Sequence, residues 1–296
     1  MKNNRNLRAF SLIEISIVVL IIGILIVGVT QSSRLVAQAK VNSARTLTQS
    51  SPASSIDGLM FWVESSSPQE SFSNEDIEDT DTITIWNDIN PQNSNRNNLT
   101  GTFPTYSTDG INAIPALTFD GTDDALSSAN FANISTGTVS VFAVIRLPAS
   151  LANGTIVSKG TNFELKATST GTWEMCGGGT CYASTASATA NASYIVSAIY
   201  NNTSSANDTS GSEDTLGGVN IFQNGVNIAQ TDTTTSLSAS ANSLTVGNVA
   251  TGTDDFLEGN LGEVIVYDRS LKQEERQSIE EYLSKKWGIR ITTETF

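Results

Sequence analysis

Histidine is absent from this 296-residue chain. The commonest metal ligand and the commonest general acid–base group are therefore missing, which argues against most zinc-centred and histidine-assisted chemistry. Positive charge is scarce: 16 Lys and Arg face 30 Asp and Glu, a formal net charge of −14. Three of the positives, Lys2, Arg5 and Arg8, lie in the first nine residues, so the remainder carries 13 basic against 30 acidic residues, or −17. Such a surface repels phosphate backbones and anionic headgroups, and nucleic acid is not expected as a partner. Cysteine is limited to Cys176 and Cys181. Long apolar runs are also missing, with one exception at the start.

In CGGGTC, three glycines let a very short segment bend back on itself. In an oxidising compartment the expectation is a disulfide closing a hairpin tip, with a small effect on global stability because the loop is short. A redox pair or a two-thiolate metal site is the alternative reading. From about residue 51 the chain is rich in Ser, Thr, Asn, Gly and Asp, broken by short runs of Val, Ile, Phe and Leu. That texture predicts strands at 59–64, 82–86, 116–119, 139–147, 154–158, 163–167, 171–175, 194–200, 219–223, 243–246 and 261–267. Asp120-Gly121, Asn153-Gly154 and Asn224-Gly225 separate them as turns, the last inside a hairpin. So many strands with no helix between them predict a mainly β chain, a two-sheet antiparallel sandwich.

The exception is MKNNRNLRAFSLIEISIVVLIIGILIVGV, where residues 10–29 carry one charge, Glu14. As a helix this stretch is about 30 Å long, the thickness of a hydrocarbon core. A signal peptide would need a small-residue cleavage site after the run, and Val27-Gly28-Val29-Thr30 is a poor one. A plain anchor has no reason to keep Glu14, which costs several kcal/mol in hydrocarbon unless paired. Gly23 and Gly28 could permit close helix packing or local unwinding, or be ordinary small residues of such a helix. Beyond Val29 the pattern is amphipathic, and the helix is expected to run to about residue 48. Small polar residues around Pro52 then break it.

The order of these features resembles the N-terminus of type IV pilins and pseudopilins: a basic leader, a small residue, Phe, three residues, Glu and an apolar helix. Here it is Arg8-Ala9, then Phe10-Ser11-Leu12-Ile13-Glu14. The resemblance covers roughly residues 5–45. It implies cleavage between Ala9 and Phe10 by an inner-membrane prepilin peptidase, with N-methylation of Phe10. The residue before the cut is usually Gly in that family; Ala9 is also small. It further implies that Glu14 pairs with the Phe10 amine of a neighbouring subunit or with its own. A satisfied buried ion pair is tolerated where a lone carboxylate is not. The expected organisation is a leader (1–9), a pilin-type helix (10–50), a linker (51–55) and a sandwich (56–296).

FWVESSS, TIWND with Trp86 and Asp88, FPTY and INAIPALTFDGTDDAL resemble the opening strands of a laminin-G-like, concanavalin A-like domain. LEGNLGEVIVYDRSLKQEERQSIEEYLSKKWGI resembles its closing strand and helix, while 147–245 matches by texture alone. In that helix Ser270 and Gln273 read as a capping box. Ile279, Tyr282, Leu283 and Trp287 share one face, and Lys285, Lys286 and Gly288 close the end. The resemblance implies a jelly roll of about a dozen strands with a short C-terminal helix, in a superfamily whose members bind carbohydrate or protein, sometimes with calcium, and include glycan hydrolases.

Glycan cleavage requires two carboxylates flanking the scissile bond on a rigid strand. The acids of NEDIEDTD lie in a loop without that arrangement. Glu263 sits on a strand, with no acidic companion near it in sequence, and reads as a structural carboxylate at the sandwich edge. No enzyme activity is expected. Clustered oxygens suit Ca²⁺ at Asp120, Asp123 and Asp124 in FDGTDD and at Asp254, Asp255 and Glu258 in TGTDDFLEG. The plainer reading of FDGTDD is a turn whose Asp side chains accept backbone amides. Trp62, Trp86 and Trp287 read as core. Trp173, beside the cysteine tip, is the aromatic candidate for a sugar platform, with core packing as the alternative.

The expectation is a modular pilin. It would begin as a single-pass protein of the bacterial inner membrane and move to an extracellular filament among other pilin subunits. As a minor or tip subunit, it would present a lectin-like adhesive head to a glycan or surface protein. A major pilin or secretion pseudopilin with a purely structural head is one alternative, and a surface-displayed glycan hydrolase the other.

Overall fold

A computed structural model describes residues 11–292 apart from 73, 75, 130, 135–136, 204–215 and 250–254, and side chains 28–34 of the first helix are likewise outside the described set. The apolar run forms the first part of α1 (Leu12–Gln49), which continues through the amphipathic stretch to its expected end. Pro52 then starts a single 3-10 turn (Pro52–Ser55), where the Ser51 hydroxyl accepts the Ala53 N–H at 3.2 Å. Among the described residues, no helix is long and apolar enough to cross a membrane.

Beyond that turn the described residues form sixteen strands and two helices. In chain order they are β1 (Leu59–Glu64), α2 (Pro68–Phe72), β2 (Ile85–Trp86), β3 (Leu99–Thr102), β4 (Thr105–Ile111), β5 (Ile114–Asp120), β6 (Ala125–Ser128), β7 (Thr138–Arg146) and β8 (Gly154–Ser158). There follow β9 (Phe163–Ala167), β10 (Trp173–Gly177), β11 (Thr180–Ala183), β12 (Ser193–Asn201), β13 (Gly218–Gln223), β14 (Val226–Thr231), β15 (Leu244–Val246), β16 (Glu258–Tyr267) and α3 (Gln273–Trp287). One sheet runs β14-β13-β12-β7-β16-β5-β4, with β1 also paired to β16; the other runs β11-β10-β9-β8-β15-β6-β3-β2. The pairings are antiparallel, as the strand texture predicts. On one edge of β16, residues 258–261 pair with β5 and residues 263–267 with β1.

The molecule has three layers, and β7 shows why. Its run VSVFAVI is apolar at every position but one because the strand is covered on both faces. Val139, Val141, Ala143 and Ile145 face the core between the sheets, with Trp86, Phe119, Phe163 and Trp173. Phe142 and Val144 face the other way, into a second core with Ala44 of α1 and Ile279, Leu283 and Trp287 of α3. The last turns of α1 therefore pack on the sandwich, with Ala44 and Thr48 buried.

Register along β16 shifts between Leu261 and Glu263. This bulge at Gly262 reverses the side-chain alternation, so Leu261 and Val264 face the inter-sheet core while Ile265 faces the helices. A Cβ on Gly262 would lie 2.5 Å from the Trp287 ring, so α3 seats against this glycine.

The predicted Asn224-Gly225 hairpin is present, with Gln223 opposite Val226 and φ of 52° and 82° at the two turn residues. Three expectations are corrected. The helix cap is not Ser270 with Gln273: the N-cap lies two residues later at Lys272, where Glu275 Oε2 accepts the Lys272 N–H at 2.9 Å. Lys286 does not reach solvent at the helix end but is buried beneath it. Glu263 lies on a strand flanked on both sides, not at the sandwich edge.

Candidate functional site

The acidic turn after β5 gathers most of the predicted metal-ligating residues. Asp120 Oδ1 accepts the Thr122 N–H at 2.8 Å and the Asp123 N–H at 3.4 Å, while Asp124 Oδ2 accepts the Asp120 N–H at 2.8 Å. These are the backbone-capping bonds of the plainer reading. The same turn brings one carboxylate oxygen from each of Asp120, Asp123 and Asp124 within 4.8 Å of one another. Burial pushes the Asp124 carboxyl up to about 6, and the neighbouring Asp120 and Asp123 charges add to the rise. Glu258 is the register partner of Asp120 across the sheet and joins this corner. Asp255 does not: its carboxylate lies 3.9 Å from Lys166, and its carbonyl accepts the Thr155 N–H. Asp254 is outside the described residues, as are Ala9 and Phe10.

Beside this corner stands an aromatic residue that sequence reasoning did not single out. Phe103, between β3 and β4, is 52% exposed. Its φ is +72°, a conformation costly for a bulky side chain. The preceding Thr102 donates its hydroxyl to the Asp123 carbonyl at 3.1 Å, tying the segment to the acidic turn. An exposed aromatic residue on a segment tied to an acidic turn supplies residue types that saccharide sites use. Only the residue-type rule that bulky side chains avoid positive φ marks Phe103 as special, and that needs the backbone.

Trp173 is a correction. It is fully buried on β10, stacked edge-on to Tyr194 with centroids 5.8 Å apart, and its indole donates to Gln223 Oε1 at 2.7 Å. It cannot serve as a sugar platform. Cys176 and Cys181 form the expected disulfide, on directly opposed positions of the β10–β11 hairpin. As a disulfide they offer no thiolate to a metal or a thiol-exchange partner. Asp88 is structural: it is buried and accepts the Trp62, Asn90 and Asn97 amides at 3.0 Å each.

The most concentrated polar chemistry is buried under α3. Glu64 and Glu263 are directly opposed on β1 and β16, an arrangement that like charges disfavour. Lys286 Nζ reaches both carboxylates at 2.9 Å. Glu263 also accepts the indole N–H groups of Trp62 (2.7 Å) and Trp287 (2.8 Å) and the Tyr282 hydroxyl (2.8 Å). Glu64 accepts from the Ser66 amide and hydroxyl, the Ser67 amide and the Ser71 hydroxyl. Burial pushes the Glu64 carboxyl up, but Lys286 and Ser66 outweigh it and hold it below the ordinary range. Burial pushes the Lys286 ammonium down, and the two carboxylates outweigh that too. The three charged groups are sealed from solvent, so the cluster fastens α3 to the sheet and has no route to substrate.

A sequence profile described as the concanavalin A-like lectin/glucanases superfamily matches residues 120–275, more than half of the chain. The chain belongs to this superfamily. The match takes in the middle of the lectin-like domain, which sequence texture alone had placed there. No curated protein matches the sequence. Among solved structures, a Trypanosoma rangeli sialidase in complex with sialic acid aligns at 12% identity and a TM-score of 0.48, over 78% of this chain and 33% of the sialidase. Domain 4 of a Geobacillus stearothermophilus GH43 extracellular arabinanase, in complex with arabinotriose, aligns at 16% identity and a TM-score of 0.47. That match covers 75% of this chain and 97% of the domain. This lectin-like chain thus spans about a third of the sialidase chain that it matches.

Proposed function

We propose that the chain is a modular type IV pilin whose lectin-like head binds carbohydrate at the Phe103–Asp120–Asp123–Asp124 corner. The observation that carries the filament half is the first part of α1. From Leu12 to Val27 its large apolar side chains are between 49% and 86% exposed, while the other end of the helix is packed on the sandwich. A continuous apolar surface of that length needs lipid or a partner helix. With the Ala9–Phe10 junction and Glu14, that partner is a bundle of like helices, reached from the inner membrane after prepilin peptidase cleavage. The bulk of the head favours a minor or tip position in an extracellular pilus.

Superfamily membership and the exposed ring beside the acidic turn support the binding half. The corner offers Ca²⁺ three carboxylates, with Glu258 as a fourth, against the six to eight oxygens that the ion takes. Calcium there would relieve the crowded charge on Asp124. A glycan array with the detergent-solubilised full chain, run with calcium and with chelator, tests this half; Phe103→Ala should abolish the signal, and binding to no glycan would remove the lectin reading. Mass spectrometry of the mature N-terminus tests the other half, and any end other than N-methyl-Phe10 would sink it.

One observation favours a hydrolase. Glu164 and Glu174 are diagonal neighbours on β9 and β10, roughly 7 Å apart by sheet geometry, and burial raises the Glu164 carboxyl. Lys166 lies 3.3 Å from Glu174 and neutralises the pair, so adhesion is the better-supported role.

A further inference from the structure

We infer a second ligand site, for a saccharide bearing a carboxylate, in the cleft between the C-terminal end of α3 and the ends of β7 and β12. The cleft holds about 560 Å³, within the range of small-ligand pockets. Arg146 and Arg290 both line it. Neither guanidinium has an ion-pair or hydrogen-bond partner among the described residues, although acids outnumber bases almost two to one in the chain. Arg146 sits at the open end of β7, on the face that α3 covers farther along. Asp109 is the one carboxylate on the lining, so the cleft carries a net positive charge on a molecule of net −14. Planar guanidiniums pair well with carboxylates, and the contrast in sign would draw an anion here rather than elsewhere on the surface.

The neutral lining suits sugar hydroxyls. Asn112, Asn191 and Asn224 stand at three separate turns, with φ of 53°, 58° and 52°, and Ala113 at 64° adjoins the first. Four of the chain's seven described non-glycine residues with positive φ thus wall one cleft. Their turns are fixed from behind: Asn112 Nδ2 donates to the Trp287 carbonyl at 2.8 Å, and Asn224 Oδ1 accepts the Ile195 N–H at 2.9 Å. That leaves Asn112 Oδ1, Asn224 Nδ2 and both amide atoms of Asn191 without a partner among the described residues. Amide donors and acceptors spread over three walls match a polyol better than a compact inorganic anion. No aromatic residue lines the cleft, which disfavours a nucleotide base.

The inference rests on the reading of the head as a saccharide-binding domain, but it is independent of the Phe103 corner. The test is titration of the detergent-solubilised full chain with trigalacturonate, galactotriose and inorganic sulfate, in chelator so that the acidic turn is metal-free. Trigalacturonate should bind and galactotriose should bind far more weakly. Arg146→Gln and Arg290→Gln should each weaken trigalacturonate at least about tenfold, as the loss of a charged hydrogen bond does, while Phe103→Ala leaves it unchanged. Binding that survives both arginine changes, or galactotriose binding as tightly, would overturn the site while leaving a lectin function standing. Sulfate competing as strongly as trigalacturonate would reduce it to a plain anion cleft, and no saccharide binding in any arm would remove both readings.

Discussion

At the scale of single residues, the lesson of Glu64, Glu263 and Lys286 is that partners settle a carboxylate's role, and partners distant in sequence are not legible. Glu263 read correctly as structural, but its companions lie 199 and 23 residues away and no periodicity links them. Lys286→Met should cost about 3–5 kcal/mol in denaturant unfolding, because it leaves two opposed carboxylates buried without their cation. Adding Glu64→Gln should recover part of that loss, and a single change costing under 1 kcal/mol would contradict this account. The pH dependence follows from the signs. A lowered Glu64 pKa gives stability that is present above the unfolded value near 4.3 and lost as pH falls through the folded one. Asp124 acts oppositely: its carboxyl, raised to about 6, favours the protonated form, so stability should decline as pH rises from about 4 to 6. Asp124→Asn should flatten that decline in denaturant midpoints, and calcium should weaken it if the corner binds the ion. An unchanged slope in the variant would place the titrating group elsewhere.

At the scale of elements, strands with a fully buried apolar face were readable and edge strands were not. β1, β8 and β9 fall at the predicted residues because β1 and β8 are largely apolar between polar turns and FELKA of β9 alternates apolar and charged residues. β3 is LTGT and β11 is TCYA, edge or near-edge strands whose side chains mostly face water, and nothing in their composition separates them from loop. Trp173 shows a different error: the strand at 171–175 is predicted, yet the glycine-rich tip beside it suggests an exposed ring, whereas the strand turns Trp173 and Met175 into the inter-sheet core. The disulfide at the tip of this hairpin encloses a short loop, so Cys176→Ser with Cys181→Ser should lower global stability by about 2 kcal/mol or less. Proteolysis at the Gly177–Gly179 tip should accelerate much more than global unfolding does. A global loss well beyond that figure would mean that the bond organises the sheet rather than its tip.

At the scale of the whole molecule, the contrast is between a head that covers its apolar surface and a helix that does not. The sandwich buries its own apolar surface twice over, between the sheets and under α3, whereas α1 leaves its first part uncovered. Within that part, Glu14 Oε2 accepts the Ser11 N–H at 2.8 Å, capping its own helix. Glu14 therefore has a local hydrogen bond before any neighbour arrives, which lowers the cost of holding a carboxylate in an apolar helix. Two roles for Glu14 can now be separated. Glu14→Ala removes both the cap and the charge, and Glu14→Gln removes the charge while keeping an oxygen that can accept from Ser11. If assembly depends on a charge meeting the Phe10 amine of a neighbour, both variants should be processed normally and both should be depleted from sheared filaments. If Glu14 serves only to start the helix, Glu14→Gln should assemble like the parent and Glu14→Ala alone should fail. Normal amounts of both variants in the filament fraction would mean that the carboxylate has no part in bringing subunits together.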